Sequence, residues 1–248
     1  MKVLEINNVS FSYEQDVVIN NISLSFARSD FAAFVGPNGS GKSTLIKMIT
    51  GNLKPDQGQI KIFGESVNDY TDWSRIGYIS QQVRDFNQSF PATVREIIAS
   101  NLYKKMGFIK IMTSKLEAEI NKALELVDME NYLNRKIGNL SGGQQQRVFI
   151  ARMMVNDPDL ILLDEPLVGV DIQAQDDFYQ IVGEINNNLE KTIIMVSHDV
   201  SLISKQANKI ICFDNGRAYA HNSSDFSYQD YIEGLRDTSI RILPEHGH

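Results

Sequence analysis

Apolar and polar positions alternate at the start of the chain. Leu4 and Ile6 take turns with polar neighbours, and Ile22, Leu24 and Phe26 do the same, a period of two that predicts half-buried strands. The run FAAFVG (31–36) is a continuous apolar segment closed by glycine, the pattern of a parallel strand buried on both faces. TLIKMIT (44–50) has helical spacing, with Gly51 where a C-terminal cap belongs. GQIKIFG (58–64) and RIGYIS (75–80) return to strand. The middle of the chain then changes to helix. TVREIIASNLY opens with Thr93 and Glu96, and SKLEAEINKALELV with Ser114 and Glu117, both at the spacing of a capping box. A third helix is predicted to start at Ser141, so residues from about 85 to 155 read as a helical subdomain inserted in an α/β core.

The last third resumes the earlier pattern. LILLD (160–164) and TIIMVS (192–197) predict buried strands on either side of a helix at 172–189. KIICF and RAYAH predict a strand pair turned at Asn215-Gly216, a dipeptide that suits the tight hairpin turn. Past Asn222 the sequence is polar and aperiodic, which predicts a loosely held tail over 223–248 after a domain spanning 1–222.

Composition narrows the classes of function. A net charge of -7 with no dense Lys/Arg block argues against a nucleic-acid partner. The single cysteine, Cys212, excludes an intrachain disulfide, suits a reducing compartment and reads as a small buried apolar residue. No apolar stretch approaches the ~20 residues needed to span a bilayer, and the N-terminus lacks the apolar run of a signal peptide. These features predict a cytoplasmic chain whose membrane association runs through a partner.

The chemistry begins at Gly36-Pro37-Asn38-Gly39-Ser40-Gly41-Lys42-Ser43-Thr44, which fits the pattern G-x-x-x-x-G-K-[ST] between a buried strand and a helix. The glycines let successive backbone N–H groups curl towards phosphate oxygens, and the helix start adds its positive dipole end. Lys42 supplies an ammonium for the β- and γ-phosphates, and Ser43 a hydroxyl for Mg²⁺. This loop alone leaves kinase, GTPase, helicase and transporter ATPase open. LILLDEP puts Asp164 and Glu165 at the C-terminal end of a buried strand, the sheet edge where ligands bind. Asp164 is the candidate Mg²⁺ carboxylate and Glu165 the candidate general base for the attacking water.

The segment Leu140-Ser141-Gly142-Gly143-Gln144 separates these classes. Ser141 and Gln144 stand at capping-box spacing, and the two glycines permit close approach of a phosphate to a second helix start. This LSGGQ resembles the signature of the ABC (ATP-binding cassette) ATPases, and the resemblance covers roughly residues 1–222. It implies a P-loop NTPase core with an N-terminal antiparallel β-subdomain and an inserted α-helical subdomain. It also implies that Ser141, Gly142, Gly143 and Gln144 grip the nucleotide of a second copy, so that two chains sandwich two ATP molecules head to tail. Tyr13 resembles the aromatic that stacks on adenine. Gln81, beside Gln82, resembles the glutamine that contacts Mg²⁺ and senses the transporter. Asp171 resembles the aspartate at the dimer seam, and His198 the switch histidine on the γ-phosphate. LVGVD before and at Asp171, and Ser80 where proline is common, depart from the family pattern without removing a catalytic side chain.

No membrane span is fused to the chain, which favours an importer with separate permease subunits and an extracytoplasmic substrate-binding protein. IGYISQQVRDFNQSFPATVREIIASNLY resembles the corresponding region of metal-ion importers, the zinc branch above all and manganese next. Two readings from other classes remain: a soluble ABC ATPase outside transport, and a module that binds ATP without turnover. His246 and His248 in the tail, with His221 nearer the core, do not fix a metal geometry.

Overall fold

The computed structural model describes residues 2–80, 91–107, 111–167, 172–197 and 199–227. Gln81, Gln82, Asp171, His198, His246 and His248 lie outside the described residues. Numbered in chain order, strands β1 (Lys2–Tyr13), β2 (Asp16–Ala27), β4 (Gln57–Ile62) and β5 (Glu65–Ser66) make an antiparallel sheet ordered β2-β1-β4-β5. The other described strands form a second sheet: β3 (Phe31–Val35), β6 (Ile76–Ile79), β7 (Leu160–Asp164), β8 (Thr192–Val196), β9 (Lys209–Asp214) and β10 (Arg217–Asn222), ordered β10-β9-β3-β8-β7-β6. Its neighbours pair in parallel except β9 and β10, which form a hairpin through Asn215 and Gly216 at φ 45° and 77°. Both turn residues therefore hold the left-handed conformation that this turn requires.

The central strands are apolar throughout because both of their faces are covered. Phe31, Ala33, Leu163, Ile193 and Met195 belong to one buried cluster with α2 (Val94–Ala99), α3 (Ser114–Glu125), α4 (Gly142–Met154) and α5 (Ile172–Leu189). The alternate residues Ala32, Phe34, Leu162, Ile194 and Val196 belong to another, with α1 (Lys42–Ile49) and the antiparallel sheet. Side chains two apart on a strand share a face, so Asp164 follows Leu162 towards α1. Cys212 is buried, and burial pushes its thiol up to about 12.

Helix starts follow the sequence signals with one shift. Thr93 and Glu96 make the reciprocal capping box of α2. For α3 the cap is Thr113, which accepts from the Leu116 N–H, one residue before the expected Ser114. Glu117 is thereby free of capping and pairs with Arg95 on α2. Two adjacent hydroxyl residues offer the same cap chemistry, and the tie to Arg95 settles the register. A short helix α6 (Val200–Ile203) is capped by Asp199. Past Asn222 a 3₁₀ turn runs over Ser223–Asp225, where the Ser223 N–H donates to the Asn208 carbonyl at 3.1 Å. The described start of the expected tail is thus anchored, by a backbone bond that composition does not reveal.

Candidate functional site

The loop from Gly36 to Thr44 leaves β3 at its C-terminal end and enters α1. Gly41 is the N-cap of α1 at φ 100°, a conformation that strains other residues, and no side chain caps the helix. A Cβ there would also stand 2.9 Å from the Val18 carbonyl on β2. The first-turn N–H groups of α1 are consequently orphan donors with a positive dipole end, a ready anion site. Pro37, Asn38 and Gly39 are exposed on the loop, Ser40 is buried, and Thr44 is half-buried in the first turn.

Lys42 is 4% exposed, and its ammonium donates to the carbonyls of Gly36 and Pro37, each at 2.8 Å. Burial holds its pKa below the usual lysine range, while the negative charges of Glu165 and Asp164 act the other way. Ser43 Oγ donates to Asp164 Oδ1 at 2.9 Å, joining residues 121 positions apart. Asp164 is itself 4% exposed, and burial raises its pKa against the Ser43 hydrogen bond. Glu165 follows at the strand end with φ 49°, a left-handed conformation, and its N–H donates to the Val196 carbonyl at 3.2 Å. One sheet edge therefore gathers an ammonium, a hydroxyl and two carboxylates beside an anion-binding helix start. Such a set can hold a polyphosphate with a hard divalent cation and offer a base to water.

Two neighbours of this centre carried no sequence signal. Tyr78 on β6, paired with Leu162 of β7, has its phenol pushed up to about 12 by burial first and by the Asp164 charge second. The exposed Lys47 on α1 acts electrostatically on Asp164. In sequence each reads as an ordinary strand or helix residue, since strand pairing for Tyr78 and helix docking for Lys47, not spacing, bring them close. Tyr13 ends β1 opposite Asp16, 45% exposed and edge-on to Phe11 at 4.8 Å. The same hairpin reaches the phosphate loop through Val18.

Ser141 and Gln144 stand apart from this loop. They form a reciprocal capping box at the start of α4: Ser141 Oγ accepts from the Gln144 N–H at 3.3 Å, and Gln144 Oε1 from the Ser141 N–H at 3.1 Å. The Ser141 hydroxyl proton is left to donate elsewhere. A Cβ on Gly143 would lie 2.8 Å from the Ala174 Cβ, so close packing on α5 demands glycine there, whereas Gly142 has open space around it. A cavity of about 360 Å³ beside Ser141 is lined by Gly143, Gln144, Arg147, Tyr132 and Asp177, among others, and by no residue of the 36–44 loop. The structure thus brings Lys42, Ser43, Asp164 and Glu165 together and leaves the LSGGQ helix start as a separate surface.

Comparison with known proteins agrees with this arrangement. The family model described as ABC transporter matches residues 19–168. The zinc uptake system ATP-binding protein ZurA of Listeria monocytogenes is 44% identical over 98% of this chain and 93% of its own. The high-affinity zinc uptake system ATP-binding protein ZnuC of Bacillus subtilis is 37% identical over 87% of this chain and 93% of its own. A dimeric structure of the ATP-binding cassette MJ0796, in a post-hydrolysis state bound to ADP and Pi, superposes with a TM-score of 0.72 at 26% identity, covering 90% of this chain and 100% of the other. Phosphate loop, acidic strand end, capped LSGGQ helix and these likenesses lead to one assignment: the chain belongs to the ABC transporter family and is an ATP-binding, ATP-hydrolysing subunit.

Proposed function

We propose that the chain hydrolyses ATP as a head-to-tail dimer beneath separate permease subunits, and that the transporter so driven imports zinc. The observation that carries the catalytic part is the bond between Ser43 Oγ and Asp164 Oδ1, with Lys42 and Glu165 acting on the same centre. Those oxygens suit a hard cation, so Ser43 and Asp164 would hold Mg²⁺, joined by Gln81 on the family pattern. When bound, Mg²⁺ supplies charge neutralisation at the β- and γ-phosphates. Lys42 exchanges its two loop carbonyls for phosphate oxygens, and the first-turn N–H groups of α1 orient the chain of phosphates. Tyr13 stacks on the adenine, Glu165 takes the proton from the attacking water, and His198 contacts the γ-phosphate.

The second copy supplies what the chain cannot supply to itself. The exposed helix start at Ser141 offers a hydroxyl and free N–H groups to the γ-phosphate held by the partner, with Asp171 at the seam. A dimeric relative bound to ADP and Pi supports this reading. No helix among the described residues is long and apolar enough to cross a membrane. The names of ZurA and ZnuC, zinc uptake system ATP-binding proteins, support zinc as cargo. Permease subunits at the inner face of the membrane and an extracytoplasmic binding protein that delivers the metal complete this reading.

Glu165→Gln tests the catalytic part. It should keep ATP binding, lose about 10²–10⁴-fold in turnover, and elute as a dimer in ATP and Mg²⁺. Wild-type turnover in this variant would remove Glu165 as the base. For the cargo, deletion of the gene should stop growth in chelator-treated medium, and added Zn²⁺ should restore it. Rescue by Mn²⁺ and not Zn²⁺ would reassign the metal.

A further inference from the structure

Gln146 belongs to the LSGGQ helix and lines the cavity beside Ser141, away from the 36–44 loop. Its Nε2 donates to the Pro166 carbonyl at 2.9 Å, and Pro166 directly follows Glu165. A proline carbonyl can only accept, which fixes the amide with its NH₂ towards Pro166. Gln146 Oε1 is left buried with no hydrogen-bond partner among the described residues. A buried acceptor without a donor lowers stability, and an apolar side chain of similar length would remove that loss while leaving the buried Pro166 carbonyl without its donor. Stability alone therefore gives the amide no clear advantage, and its bond to Pro166 reaches the backbone that carries the base.

The surrounding contacts make that bond part of a clamp. Arg147 donates to the Val127 carbonyl at 3.1 Å and to Asp177 on α5 at 2.7 Å. Gly143 packs against Ala174, also on α5. The first turns of α4 are thus held to α5 on one side and to Pro166 on the other. We infer that Gln146 is a positioning residue that ties the helix of Ser141 to Glu165 of the same chain. The inference rests on the head-to-tail dimer proposed above. In that dimer Ser141 serves the partner's ATP while Glu165 serves its own, so the Gln146–Pro166 bond couples the two nucleotide sites. Seating a γ-phosphate on one chain's Ser141 sets the base for that chain's own ATP.

The test uses the full chain with Gln146→Met, which keeps length and removes the amide, and Gln146→Glu, which keeps an acceptor and removes the donor. Both should lower kcat about tenfold, the effect of one lost hydrogen bond at the reacting centre. The Hill coefficient for ATP should fall from above one towards one, and ATP binding by the dilute chain should stay unchanged. The Met variant exchanges one orphan acceptor, Gln146 Oε1, for another, the Pro166 carbonyl, so its Tm should stay close to wild type. A fall in Tm with unchanged kcat and Hill coefficient would overturn the inference, as would failure of both variants to fold. A wild-type Hill coefficient of one would also sink the coupling while leaving the dimer standing. A wild-type chain that neither dimerises in ATP nor hydrolyses it would instead bring down the underlying reading.

Discussion

At the residue scale, the site is built from groups that fold at a loss and recover it on binding. Asp164 is buried beside Ser43 with its pKa raised by desolvation, so its ionised form opposes folding. The sign follows from linkage: the folded state holds the proton more tightly than the unfolded chain. Stability from this group is present below the ordinary carboxylate pKa and is lost as pH rises through the raised one. Asp164→Asn should therefore raise the Tm of the nucleotide-free chain at neutral pH, with the gain vanishing as the buffer falls below the usual carboxylate range. The same variant should lose at least about 100-fold in Mg²⁺-dependent turnover, since an amide does not replace an anionic ligand. Thermal melts across pH, paired with ATPase assays, check both halves, and a lowered Tm at neutral pH would contradict the burial argument. The motif spacing made Lys42, Ser43, Asp164 and Glu165 legible in sequence. Tyr78 and Lys47 were not, because their approach to Asp164 depends on strand pairing and helix docking.

At the scale of elements, α4 matters more than its sequence pattern suggests. Ser141 and Gln144 were readable as a cap because both partners lie within one turn. In sequence Gly143 read as room for a phosphate to approach, whereas the structure adds a packing reason, contact with Ala174 on α5. Gly143→Ala should push the two helices apart and destabilise the chain by about 1–3 kcal/mol, the usual range for overpacking. Ala174→Gly in the same chain should restore part of both Tm and turnover by reopening the space. Additive losses in the double variant would show that the two positions do not compete for one volume. The Thr113 cap of α3 makes the same distinction, because local spacing allowed either of two hydroxyl residues. The long-range tie of Glu117 to Arg95 decided between them.

For the whole molecule, continuous apolar runs foretold a parallel sheet covered on both faces, and the two buried clusters on either side of β3, β7 and β8 account for them. The strand order was out of reach of periodicity, since β3 pairs with β8 and β9 from the far end of the chain. That order carries the phosphate loop and the acidic strand end to one edge while the LSGGQ helix start opens onto another surface. Two incomplete surfaces on one chain are what a second copy would complete, and this is the central claim. Its most direct measurement places Ser141→Arg in the Glu165→Gln background and follows mass in ATP and Mg²⁺ by analytical ultracentrifugation, with ATP binding measured on the dilute chain. The account predicts wild-type ATP affinity for the isolated chain and no ATP-driven dimer. An ATP-loaded dimer that survives the substitution, or loss of ATP binding by the isolated chain, would contradict it.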